Sequence, residues 1–153
     1  MIRLRFESRL AAPAQEVRRF ALTMLGVNAE LMPLVRMSYP AKAQGLDLQQ
    51  APVGELVFHS WLLLFGLLPV DRHALAFDAI RDDGFDERSS SWLQQVWIHR
   101  RRIEAIDGGT RVQDELEFQP RLRLAAPLSA MLITQVFRHR HRRLCARYGA
   151  LSD

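Results

Sequence analysis

Between Val35 and Gln119 the chain is a succession of strand-like segments joined by short turns, and it closes with one long helix. No other feature restricts the fold as much. Gly54–Phe65 is apolar at nearly every position, Gly66-Leu67-Leu68-Pro69 reverses it, and Val70–Arg81 alternates. Asp82-Asp83-Gly84 turns into the short strand Phe85–Ser90, and Trp92–Ile106 forms a long one. Asp107-Gly108-Gly109 is a hairpin signal before the strand Arg111–Gln119. Turns this short cannot carry parallel crossovers, so the sheet is expected to be antiparallel. The closing helix reads from about Pro127 to Tyr148, with Gly149 as its stop. A sheet of this size with one long amphipathic helix buries both apolar faces only by curling around it, an arrangement that leaves a cavity between them.

The beginning of the chain completes the pattern. Ile2, Leu4 and Phe6 alternate with Arg3, Arg5, Glu7 and Arg9, the mark of a half-buried strand. Pro13 suits the first turn of a helix in which Val17, Phe20, Ala21 and Met24 recur at helical spacing up to Gly26. A second short helix is expected over Ala29–Leu34, limited by Pro33 and Pro40. The expectation is an α+β fold: a curved antiparallel sheet of about seven strands around a long C-terminal helix, with two short helices after the first strand. Residues 1–153 have the length of one ordinary domain, and 48% hydrophobic with 25% charged residues is a globular composition.

Several classes of function are not supported. Cys145 is the single cysteine, which excludes an intrachain disulfide and makes the cytoplasm the expected compartment. MIRLRFESRL lacks a signal-peptide core, and the apolar run Trp61–Val70, broken by Gly66 and Pro69, is too short to span a bilayer. The net charge of +4 comes mainly from arginine, Lys42 being the only lysine. Arg3, Arg5, Arg9, Arg18, Arg19, Arg100 and Arg102 are scattered and no DNA-binding pattern accompanies them, so no nucleic-acid partner is expected. His139 and His141 project about 160° apart on a helix and cannot chelate one ion. No HExxH, CxxC, GxSxG or Gly-rich phosphate loop occurs, and no metal or cofactor is expected.

Two charges sit on apolar faces. Projected at about 100° per residue, the last helix carries Arg140 within the stripe of Leu132, Ile133, Val136, Phe137 and Leu144, with Arg138, His139 and Arg142 on its solvent side. Asp114 lies on the apolar side of its strand with Val112, Leu116 and Phe118. Either Asp114 and Arg140 form a buried ion pair between strand and helix, the preferred reading, or Arg140 anchors a ligand carboxylate or enolate that Asp114 orients.

Other inward faces combine aromatic and polar residues. Alternation selects Leu93, Gln95, Trp97, His99, Arg101 and Ile103 in one strand and His73, Leu75, Phe77 and Ala79 in another. In Gly54–Phe65 it selects Val57, His59, Trp61, Leu63 and Phe65, although both faces there are apolar. The expected ligand-contacting set is Trp61, His73, Phe77, Trp97, His99, Phe118, Ile133, Phe137 and Arg140, a mostly aromatic lining with few polar handles. His99 reads either as an acid–base or hydrogen-bond donor, or as a core histidine bonded within the protein. The segment Trp61–Leu68 either packs beneath another loop or exposes an apolar hairpin, 61–70, for a homodimer or a membrane.

The chain resembles the START-like or SRPBCC superfamily of polyketide cyclases, lipid-transfer domains and plant hormone-binding proteins, whose architecture is the helix-grip fold. The likeness is carried by the opening strand followed by Ala11-Ala12-Pro13-Ala14-Gln15-Glu16-Val17, by Gly109-Thr110-Arg111-Val112-Gln113-Asp114-Glu115-Leu116, and by Phe137-Arg138-His139-Arg140-His141. It implies a deep pocket for a hydrophobic or amphipathic small molecule between sheet and last helix, in a superfamily that includes binders, transfer proteins and enzymes. The expected function is binding, transport or sequestration of a hydrophobic or aromatic small molecule. The alternatives are a cyclase or dehydratase with His99 as acid–base and Arg140 on an enolate, and an interaction module using the hairpin.

Overall fold

The structure, a computed structural model, describes residues 1–152. Strand β1 (Ile2–Leu10) is followed by helices α1 (Ala14–Ala21) and α2 (Met24–Leu31). Strands β2 (Val35–Met37), β3 (Leu56–Leu64), β4 (Leu68–Arg81), β5 (Gly84–Ser91), β6 (Gln94–Ile106) and β7 (Gly109–Pro120) precede helix α3 (Ala126–Tyr148). All neighbours pair antiparallel in the order β1-β7-β6-β5-β4-β3-β2. The sheet curls into a half-barrel, and α3 packs on β1, β7 and α2.

Strict alternation fixes parity wherever one face is polar. Strand β7 buries Thr110, Val112, Asp114, Leu116 and Phe118, as read from the sequence. Gly149, at φ 82°, ends α3 as expected.

Three segments depart from the sequence reading. The helices divide at Thr23, whose side chain caps α2 by accepting from the Gly26 amide at 3.0 Å. Gly26 is therefore in the first turn of α2 and does not end the helix before it. A Cβ there would lie 1.9 Å from the Phe20 carbonyl oxygen, so only glycine allows the two helices to corner this tightly. Residues 38–55 form two short 3-10 turns, Ala41–Ala43 and Leu48–Gln50, before β3 begins at Leu56. In β3 the buried residues are Phe58 and Ser60, the opposite parity to the one expected. Both faces of this segment are apolar, so alternation carried no signal, and register shifts at Leu56/Phe58 and Leu62/Leu63 reset the pleat.

Candidate functional site

A cavity of about 250 Å³ lies between the concave sheet and α3. Its wall is mainly apolar: Met24, Val27 and Leu31 from α2, Leu75 and Phe77 from β4, Phe85 from β5, Trp97 from β6, and Leu132, Ile133, Val136 and Phe137 from α3. Set among them are seven polar residues: Asp71, His73, Glu87, Gln94, His99, Ser129 and Arg140.

The polar groups extend beneath the wall into a continuous hydrogen-bonded chain, positioned by register. Glu87 opposes His99 across β5 and β6, and Arg101 opposes Asp114 across β6 and β7. His73 Nε2 lies 2.6 Å from Glu87 Oε1, which also accepts from the Ser89 hydroxyl at 2.7 Å. His99 bridges two carboxylates, with Nδ1 3.4 Å from Glu87 Oε2 and Nε2 2.7 Å from Asp114 Oδ1. The rings of Phe85 and Phe137 meet that imidazole edge-on, at 5.2 and 5.3 Å. Arg101, fully buried, donates to both Asp114 oxygens at 2.8 and 2.7 Å and to both Glu30 oxygens at 2.9 and 2.8 Å. Arg140 reaches Glu30 Oε1 at 3.2 Å, and His141 joins Asp114 Oδ2 at 2.9 Å to the Ser8 hydroxyl at 2.7 Å.

Burial raises the cost of every charge here, and pairing decides the outcome. Burial would push the Glu87 carboxyl up, but hydrogen bonds from His73 and His99 outweigh it and hold the group well below the usual carboxylate range. Asp114 is likewise held far down against burial by the Arg101 charge and its hydrogen bonds. For Arg101 burial is overcome by Asp114 and Glu30, which raise its pKa, whereas burial lowers that of Arg140 despite Glu30.

Several expected residues do line the cavity: His73, Phe77, Trp97, His99, Ile133, Phe137 and Arg140. Two do not. Trp61 lies on the outer face of β3, edge-on to Trp92 at 5.0 Å and beneath the Arg72 guanidinium at 5.7 Å, because the parity of that strand is reversed. Phe118 is fully buried behind Trp97, ring centroids 5.7 Å apart, in the smaller cluster with Leu116 and Phe137. The expected Asp114–Arg140 pair is replaced: Arg101 occupies Asp114, and Arg140 pairs with Glu30. His139 is half-buried, and its Nε2 bonds the Met32 carbonyl at 2.8 Å.

Sequence reasoning missed Glu30, Glu87, Gln94 and Asp71. Glu30 falls at helical spacing with Val27 and Leu31, and Glu87 shares the parity of Phe85, so a signal was present for both. Gln94 had none. A register shift between Gln94 and Val96 turns it inward and Gln95 outward. Among the described residues no group of three or more His, Cys, Asp or Glu is arranged to hold a metal ion.

The curled sheet gripping α3 over an apolar cavity is a START/SRPBCC-like fold. Solved structures share this fold across nearly the whole chain. Protein CV1439 from Chromobacterium violaceum is 14% identical with a TM-score of 0.68, covering 97% of this chain and 99% of that one. A START superfamily protein from Mycobacterium smegmatis is 12% identical with a TM-score of 0.66, covering 95% and 96%. DynU16, from the dynemicin biosynthetic locus, is 15% identical with a TM-score of 0.57; the match spans 97% of this chain and 48% of that one. No curated protein matches the sequence significantly. Residues 8–148 match the family described as Domain of unknown function (DUF8410), and the chain belongs to that family.

Proposed function

We propose that the chain is a single ligand-binding domain that takes up a small hydrophobic or aromatic molecule in the cavity between sheet and α3. The observation that carries this reading is an apolar void of about 250 Å³ with a few buried polar groups in its wall. A cavity of roughly 150 Å³ admits benzene, so this volume favours one- or two-ring aromatics or short acyl chains over sterols. Carriage or sequestration of such a molecule is the role this supports. The cyclase or dehydratase alternative has less support, because both ring nitrogens of His99 face carboxylates and the Arg140 guanidinium is engaged by Glu30. The test is native mass spectrometry of freshly purified protein with thermal-shift screening against aromatic ketones, fatty acids and sterols. Two-ring aromatics are expected to raise the melting temperature more than fatty acids or sterols. An empty protein that no class stabilises would overturn the reading.

A second reading, a docking role for the hairpin, is favoured by one observation. The ends of β3, β5 and β7 and the starts of β4 and β6 share one end of the antiparallel sheet, where Phe65, Leu67, Trp92, Leu122 and Leu124 are all exposed. Phe65 has φ 54°, a conformation that costs a bulky residue about 1–2 kcal/mol, yet the tip keeps it. Such an end suits a second copy of the chain or a membrane surface. Sedimentation velocity and vesicle co-sedimentation test it: wild type should self-associate or bind vesicles and Leu67→Asp should not. A monomer indifferent to vesicles would exclude it.

A further inference from the structure

The polar residues of the cavity wall are not equivalent. Glu87, His99 and Arg140 are engaged within the protein, whereas Asp71, His73 and Gln94 are only half used. Asp71 and His73 are two residues apart on the same face of β4. His73 opposes Ser91, whose hydroxyl accepts from the Gln94 amide at 2.9 Å, so the bulge at the start of β6 brings Gln94 to the same corner. All three are at least nine-tenths buried.

Each presents an acceptor. Glu87 is a carboxylate that can only accept, so His73 Nε2 donates to it across 2.6 Å. Nδ1, the other ring nitrogen, makes no hydrogen bond within the protein and is an acceptor whenever the ring is neutral. Asp71 Oδ1 is taken by the amides of Arg72 and Leu93 at 2.8 and 3.1 Å, which leaves Oδ2 without one. Gln94 Oε1 is buried and unpartnered. A corner that served packing alone would pair Gln94 Oε1, because a buried acceptor without a donor is destabilising.

We propose that the ligand carries a hydroxyl group, phenolic or alcoholic, whose proton is accepted in the corner formed by Asp71, His73 and Gln94. This rests on the reading of the cavity as a binding site and adds the chemistry of one end of the ligand. The apolar remainder packs against Leu75, Phe77, Ile133 and Phe137. A carboxylate is disfavoured in this corner, since Asp71 repels it and the acceptors offer it no proton.

The test is isothermal titration of the full chain with 2-naphthol, 2-methoxynaphthalene and 2-naphthoate. The naphthol should bind about tenfold more tightly than the ether, which keeps the oxygen and lacks the proton, and more tightly than the acid. Gln94→Leu and His73→Phe should bring the naphthol-to-ether ratio towards one without weakening the ether. Gln94 makes no side-chain bond within the protein, so its substitution remains informative even if His73→Phe does not fold. Equal affinity for naphthol and ether, or preference for the naphthoate, overturns the hydroxyl assignment and leaves the cavity reading standing. Failure of all three to bind overturns both.

Discussion

Arg101 carries more of the fold than Arg140, although Arg140 is the more conspicuous in the sequence. Four hydrogen bonds from Arg101 satisfy two buried carboxylates, and without it Asp114 and Glu30 would be left with weaker partners. Arg101→Met should cost about 3–5 kcal/mol by equilibrium urea denaturation, the magnitude for breaking a buried ionic group. Arg140→Met should cost clearly less, because Glu30 keeps both bonds from Arg101. The same cluster sets acid sensitivity. The carboxyls of Glu87 and Asp114 titrate lower in the folded than in the unfolded chain, so between those values the unfolded state binds more protons. Stability is then full above about pH 5, where the unfolded groups are ionised, and falls as pH drops further. Thermal melts from pH 7 to 3 should show this decline. Glu87→Gln should be less stable at pH 7 and decline less steeply.

The corner between α1 and α2 shows how an element boundary depends on a close approach. Alanine in a helix interior usually stabilises by about 1 kcal/mol relative to glycine. Gly26→Ala should do the reverse, because its methyl would meet the Phe20 carbonyl oxygen at 1.9 Å. A loss of about 1–3 kcal/mol by urea denaturation is expected, the range for overpacking. Thr23→Ala should cost about 1 kcal/mol through the lost cap. Strand β3 shows the opposite limit. With apolar residues on both faces, local sequence does not choose a side, and pairing with β4 through two register shifts makes the choice.

Across the whole molecule, packing density is given up where the sheet leaves α3. The C-terminal half of the helix is clamped by Phe137, Arg140, His141 and Leu144, while Leu128, Met131 and Leu132 near its start remain exposed. The void lies beside this looser half. Val136→Phe should fill part of it, leaving stability unchanged or raised while weakening binding of 2-naphthol at least tenfold. Differential scanning calorimetry and titration calorimetry on the same sample would read both effects.

The order of elements, the antiparallel connectivity, the parity of β1, β4 and β7 and the inward aim of Asp114 and Arg140 were all legible locally, because one polar and one apolar face encode orientation within a few residues. Partner choice was not. Arg101 meets Glu30 across 71 positions and Arg140 meets it across 110, and neither separation leaves a periodic trace. The outward turn of Trp61 and the inward turn of Gln94 depend on bulges that form only when strands pair. Alternation states which way a side chain faces, and only the assembled sheet and helix decide what it meets.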